Sequence, residues 1–586
     1  MVVTIRRTLL VGFLLMLVAS LGGAASAQDA VKWTPVTEHR LLNADKDGAN
    51  WLTHHRTYNG WRYSPLNQIT NANVGKLTPR WMFPGGGAGD QKGTPMVNDG
   101  VMVTVTIDAG DTVNPRTLIR QKVYALDATT GAVLWKHEHK LPDDLTVLVR
   151  ILLGPRGVAF LNDRVYYGTK DARLIALRAT TGEVIWNKEI ADYKDGFYVS
   201  MAPIVAKGKL VVGIAGPGEM GNRGFVEAFD PDTGRSLWRT YTIPGPGEPG
   251  NDTWAGESWK VGGVAPWHHG TYDPDSNTLF YGTGNPAPWI PELRKGNNLW
   301  ANSVIALDAD TGKLKWGYQF VPNEGWDLDT NQEPLVIDVT RNGTKRKAVI
   351  QANKLGYVYT LDRTDGKFIS ATPFVKLRNW GEVDPKTGKV SINRDKIPTM
   401  GGPRLEVCPG LIGATSWGNR PYNPQTGLMY IPSNEFCMML GYAKEITYKR
   451  GSIFTGAAHD HYAKGDQSGV LRAYDVNADK VVWEWSTRSP LVTHVLTTAG
   501  DLVFFGTAEG KVIGLDARSG KQLWEFSVGT PISGGLMTYA VGGKQYLAVA
   551  AGGQTRSATY YGKEPRWAHL KNVPWGDVVV VFALPD

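Results

Sequence analysis

The stretch PNEGWDLDTNQEP, residues 322–334, sets two aspartates one residue apart, Asp327 and Asp329, between apolar runs. Carboxylates so spaced can converge on a hard cation, because oxygen donors suit Ca2+-like ions. The bland reading is a solvated turn. Other motif-like stretches carry less. GPGEMG (216–221) matches G-x-G-x-x-G, but the following NRGFVEAFDPDTG reads as a strand where a dinucleotide fold needs a helix N-terminus. NADKDG (43–48) opens like an EF-hand loop, yet its twelfth position is His54, so it reads as a surface turn. HDH (459–461) and the pair His268–His269 lack the remaining ligands of a zinc set and read as polar-loop residues.

What could position such carboxylates is a repeat. ALDATTGAVLW (125–135) recurs as ALRATTGEVIW (176–186), AFDPDTGRSLW (228–238) and ALDADTGKLKW (306–316), with weaker copies at 360–370, 473–483 and 514–524. Each copy reads as strand, turn, strand. Asp127 can bond its own turn, Gly131 takes a positive φ, and Trp135 begins or follows the return strand. One hairpin cannot bury such an aromatic by itself, so neighbouring copies must dock it, which argues for a radial β array. Trp135, Trp186, Trp238, Trp316, Trp483 and Trp524 are therefore expected to pack repeats together and to do no chemistry. Strand candidates such as DRVYYGT and KLVVGIA lie between the copies, giving about four strands per unit, as in propeller blades. Seven copies plus a blade closed by the termini predict an all-β, eight-bladed β-propeller. The wider spacing after the third and fourth copies leaves room for insertions that could build a binding face.

The chain of 586 residues is too long for one ordinary core and fits a repetitive architecture. Its 69 Gly and 34 Pro favour short strands and tight turns over long helices. Residues 1–27 read as a secretory signal peptide: Arg6 and Arg7, an apolar run, then Ala25, Ser26 and Ala27. Residues 28–586 form the single propeller domain. No second run is long enough to span a bilayer, so a soluble, exported protein is expected. The net charge of +8 is scattered, which gives nucleic-acid binding little support and leaves room for an acidic protein partner. In an oxidising compartment Cys408 and Cys437 are expected to pair, with two unpaired buried thiols the alternative. No C-x-x-C-H occurs, so the chain attaches no c-type haem.

Taken together, the repeats, the leader and several local motifs resemble the quinoprotein alcohol dehydrogenases, periplasmic eight-bladed propellers that carry pyrroloquinoline quinone (PQQ) and a metal ion. The resemblance runs from WLTHHRTYNGWRYSPL (51–66) to GDVVVVFALPD (576–586). It implies Glu219, in GPGEMGNRG, and Asn285, in YGTGNPAPW, as metal ligands. Asp327, in EGWDLDTN, becomes both ligand and catalytic base. Asp329 matches a position that is acidic in lanthanide-using members. Ca2+ is the ion expected and a lanthanide the alternative. For the cofactor, the resemblance implies Trp267 as the floor under the quinone and Lys354 as the cation supporting its carbonyl. Arg156 and Ser200 match contacts to its carboxylates, Gly552 and Gly553 a close-approach backbone segment, and Gly218 and Trp417 further cofactor contacts. Cys408 and Cys437 match the family's structural disulfide.

The chain departs from the family at several places. The family's pair of adjacent cysteines should precede Arg156, where this chain has LVRILLG; Lys92 stands for a glutamate, Ser416 for an asparagine, Ala265 for a threonine and Val492 for a pocket tryptophan. These departures are similar to those of members that oxidise sugars, polyols or bulky secondary alcohols. The resemblance implies oxidation of an alcohol by hydride transfer to PQQ, with Asp327 accepting the hydroxyl proton and electrons leaving to a soluble cytochrome c. A homodimer is compatible with it. A non-enzymatic propeller scaffold of the cell envelope would explain the leader and the repeats equally well, but not the ligand pattern.

Overall fold

The fold comes from a computed structural model, which describes residues 31–86, 91–109, 118–145, 154–341, 343–552 and 564–586. The repeat unit becomes a four-stranded antiparallel sheet. In the first, Met96–Asn98, Val101–Ala109, Leu118–Asp127 and Val133–Lys140 follow one another in chain order. The same arrangement recurs over 159–189, 204–241, 271–319 and 335–373, over 422–487 with one side excursion, and over 495–527. Inner strands such as Lys209–Gly213, Thr278–Gly282 and Leu502–Gly506 are buried along nearly their whole length, because each sheet is covered on both faces by its neighbours. The outermost strand, as in Val133–Lys140, alternates exposed and covered residues.

The repeat residues do what their types dictate. Asp127 Oδ1 accepts from the N–H groups of Thr129 and Thr130, both at 2.8 Å, and Gly131 has φ 77°. Trp135 lies across from Ala125, with a bulge that lets the indole lean outward. Its Nε1 donates to Ala179 O at 2.8 Å, in the turn of the next sheet. A Cβ on Gly182 of that turn would sit 2.6 Å from the Trp135 ring, so the glycine is required for contact as well as for its φ of 75°. Trp81, Trp186, Trp238, Trp316 and Trp483 repeat the arrangement against Ala128, Pro231, Ala309, Arg363 and Ala517.

The two ends of the chain share one sheet. Thr78–Pro84 pairs with Val578–Ala583, which continues into Lys544–Ala551 and Leu536–Val541. That pairing joins the first and last repeats. Cys408 and Cys437 form a disulfide across 29 residues and tie the Leu405–Val407 strand to Phe436–Tyr442. Residues 1–27 and Gly553 lie outside the described residues, as does most of the LVRILLG segment. No helix among the described residues is long and apolar enough to cross a membrane.

Candidate functional site

Four polar segments meet at the ends of the inner strands. A single helical turn, Pro217–Met220, carries Glu219. The strand Phe225–Phe229 follows it, so GPGEMG opens no long helix, as the sequence predicts. Asn285 comes from the loop after Thr278–Gly282, and Asp327 and Asp329 from the loop before Leu335–Arg341. Lys354 comes from the turn between Thr344–Ala352 and Tyr357–Asp362.

Hydrogen bonds join three of these segments directly and reach the fourth at Gly218, the residue before Glu219. Asn285 Nδ2 donates to Gly218 O at 3.1 Å, while its backbone N–H donates to Asp329 Oδ1 at 2.9 Å. Lys354 Nζ donates to Asp329 Oδ2 at 2.6 Å and to the Asp327 carbonyl at 2.8 Å, and stands 3.5 Å from Asp327 Oδ2. Two glycines make room. A Cβ on Gly218 would lie 2.6 Å from Asn285 Oδ1, and one on Gly284 would lie 2.7 Å from Asp329 Oδ1. Asp329 is 3% exposed, with both oxygens engaged, which overturns the solvated-turn reading.

Asp327 has φ 62°, and its Oδ1 is buried with no hydrogen-bond partner. Burial pushes its carboxyl well above the ordinary range; Lys354 opposes the rise, while Asp329, Glu219 and Glu324 add to it. Clustered acids with one lysine among them lack positive charge, and a hard cation would supply it. Glu219, Asn285, Asp327 and Asp329 are all oxygen donors and could hold such an ion. Among these residues Glu324 is one that sequence reasoning missed. Its buried Oε1 accepts from the N–H groups of Trp326 and Leu328, clamping the turn that carries Asp327, and burial raises its own pKa. The only signal was a carboxylate three residues before Asp327.

Cations lie over the faces of Trp267 and Trp417, one of them Lys92, which stands where the family has a glutamate. The Arg156 guanidinium lies 4.8 Å from the Trp267 ring centroid, and its Nη1 donates to Ser200 O at 3.2 Å. Ser200 Oγ in turn donates to Trp267 O at 2.8 Å. Lys92 Nζ lies 5.4 Å over the Trp417 ring. Gly552, at φ 147°, approaches the backbone so closely that a Cβ would meet Gln91 Cβ and Gly576 O, both at 2.9 Å. Two buried cations beside indole faces suit a planar polyanion such as PQQ.

Other histidine readings are corrected. His268 and His269 sit in the loop before Thr271–Asp273 but are buried, not solvated as a polar loop would leave them. His459 and His461 lie in a strand, Ala457–Ala463, of a side sheet.

The family described as "Glucose/ethanol/alcohol dehydrogenase, beta-propeller domain" matches residues 51–375. "Outer membrane protein assembly factor BamB" matches residues 412–563. The chain is 37% identical over 610 residues to the quinoprotein alcohol dehydrogenase PedH of Pseudomonas putida, covering 99% of this chain and 97% of that one. This chain belongs to the PQQ-dependent alcohol dehydrogenases. The dehydrogenase is also 33% identical to the lanthanide-dependent methanol dehydrogenase of Methylacidiphilum fumariolicum, covering 87% of this chain and 86% of that one. Among solved structures, a europium-containing methanol dehydrogenase superposes with TM-score 0.85 at 32% identity, covering 93% of the dehydrogenase and all of that chain.

Proposed function

We propose that the dehydrogenase oxidises a bulky secondary alcohol, polyol or sugar in the periplasm and passes electrons to a soluble cytochrome c. The observation that carries this reading is the buried meeting of Asp327, Asp329, Asn285 and Lys354, with Asp327 Oδ1 lacking any partner. Glu219, Asn285 and Asp327 would hold the ion, and Asp329 would add a carboxylate while fixing Lys354. Ca2+ is our assignment; a lanthanide is the alternative, supported by the extra carboxylate and by the lanthanide-dependent and europium-containing methanol dehydrogenases to which the chain is similar. Arg156, Ser200, Gly218 and Gly552 would contact the cofactor, as would Trp267 and Trp417; Gly553, which the resemblance adds to them, lies outside the described residues. Counting each of the large four- or five-stranded sheets among the described residues as one blade supports the eight-bladed reading.

Bound PQQ with its ion supplies a two-electron acceptor for the alcohol carbon. The chain's own residues do the rest. Asp327 accepts the hydroxyl proton on its carboxylate. Lys354, held by Asp329, keeps a positive charge where negative charge develops. Trp267, Trp417 and the surrounding apolar residues exclude water. Val492 packs, partly exposed, against the cluster that contains Trp417 and Trp567, and a small side chain there widens the substrate chamber. The subgroup without adjacent cysteines fits the chain's two distant cysteines. The leader-like start with Arg6 and Arg7 supports export. The missing haem motif supports a separate electron carrier.

Reconstituting purified apoprotein with PQQ and either Ca2+ or La3+, then following dye reduction, tests the reading. Alcohol-dependent turnover with at least one ion is expected, and it should be faster on cyclohexanol than on methanol. No turnover with either ion would refute the site assignment; faster methanol oxidation would refute the substrate class alone.

A further inference from the structure

Five histidines meet in the hub of the ring. His54 and His55 come from the N-terminal segment, His268 and His269 from the loop before Thr271–Asp273, and His494 from just before Val495–Thr498. Glu333 comes from the loop that also carries Asp327. All six are at most 6% exposed. One donor atom each from His54, His55, His269 and Glu333 lie within 4.8 Å of one another. The His54 and His269 rings stack at 3.5 Å, and the His54 and His55 centroids are 4.8 Å apart.

Tautomers sharpen the picture. His268 Nε2 is 2.9 Å from the Trp417 carbonyl, which can only accept, so Nε2 carries the hydrogen. Its Nδ1 then holds a lone pair, 3.1 Å from Glu333 Oε1. Arg420 and Asn419 Nδ2 both donate to Glu333 and fix its orientation. Two acceptors so close repel unless something positive joins them. Both nitrogens of His54 and both of His55 are buried without a hydrogen-bond partner. His269 differs, because Ala202 N–H donates to its Nε2 at 3.0 Å and occupies that lone pair.

We propose that the hub holds a second metal ion, a divalent transition ion of the Zn2+ class, ligated by His54, His55 and Glu333 with His268 Nδ1, which lies 3.1 Å from Glu333 Oε1, as the fourth donor. The neutral nitrogens and single carboxylate make a borderline donor set, unlike the all-oxygen cluster around Asp327. The carbonyl behind His268 and the Arg420–Asn419 pair behind Glu333 are the outer partners that orient ligands in metal sites. Buried Arg62, which donates to the His54 carbonyl, and Arg420 oppose any cation here. They exclude Ca2+ and Mg2+, which gain little from nitrogen donors, and leave ions whose bonds to imidazole are strong. The ion would tie together three segments far apart in sequence.

The test uses holoenzyme whose oxygen site is already filled with Ca2+ or a lanthanide. Zn2+ is added, excess is removed by gel filtration, and retained zinc is measured by mass spectrometry and zinc X-ray absorption. One retained equivalent with imidazole scattering is expected, together with a higher melting temperature than in chelator-treated protein. In His55→Gln and in His54→Gln/His55→Gln, zinc affinity should fall at least ten-fold while far-UV circular dichroism stays unchanged. If wild-type protein retains no zinc, or its zinc lacks imidazole scattering, the proposal fails, and this reading needs no variant to fold. Equal retention by a folded double variant also overturns it.

Discussion

Asp327 is asked to do two things that conflict in a metal-free protein: stay ionised and stay buried. Its orphaned Oδ1 and its upward-shifted carboxyl record the conflict. Asp327→Asn removes the charge and keeps the shape. Turnover of the reconstituted enzyme should fall by about 10²–10⁴-fold, the usual worth of a general base. The metal-free variant should melt no lower than metal-free wild type at neutral pH, because a poorly compensated buried charge has gone. Dye-coupled assays and thermal melts measure the two effects separately. A second residue-scale expectation concerns Gly218. An alanine there would press on Asn285 Oδ1 at 2.6 Å, so Gly218→Ala should weaken binding of the oxygen-site ion at least ten-fold, read by titrating apoprotein with Ca2+ or La3+.

At the scale of the sheet, the tryptophan dock is what converts eleven-residue repeats into a ring. Trp135 buries its indole against Gly182 and donates to Ala179 O, joining two sheets that share no strand. Trp135→Ala should cost about 3–5 kcal/mol of stability, with turnover per folded molecule unchanged, since the ring is remote from Asp327 in role. The same strand carries a pH effect. Burial lowers the His137 pKa to about 4, and its Nε2 lies 2.9 Å from Tyr167 Oη. A depressed histidine pKa contributes stability that is present above the unfolded value near 6.5 and lost as pH falls toward 4. His137→Asn should therefore flatten the loss of melting temperature between those pH values, compared with wild type.

For the whole molecule, closure matters more than any single sheet. Thr78–Pro84 and Val578–Ala583 are about five hundred residues apart in sequence, yet they lie hydrogen-bonded in one sheet. Closure holds in place the sheets whose loops bring Asn285, Asp327, Asp329 and Lys354 together. Truncation after residue 577 would open the ring. The truncated chain should lose cooperative unfolding and ion binding together, visible in a calorimetric scan and a Ca2+ or La3+ titration.

Much was legible beforehand because it is local. An Asp that bonds its own turn, a glycine at positive φ and a bulky aromatic near the return strand specify one hairpin at any point in the chain, so repetition alone announced a radial β array. Asp327, Asn285 and Glu219 could be picked out because their short motifs resemble those of a known family. What tertiary structure decided were meetings between residues with no local signal. Asp329 could have been solvated, and only the positions of Lys354 and the Asn285 N–H made it a buried partner. His54, His268 and Glu333 carry no common spacing, so their convergence depends on ring closure. Hairpin geometry is set by a few neighbouring dihedrals, whereas a site at the hub is set by the summed placement of every sheet around it.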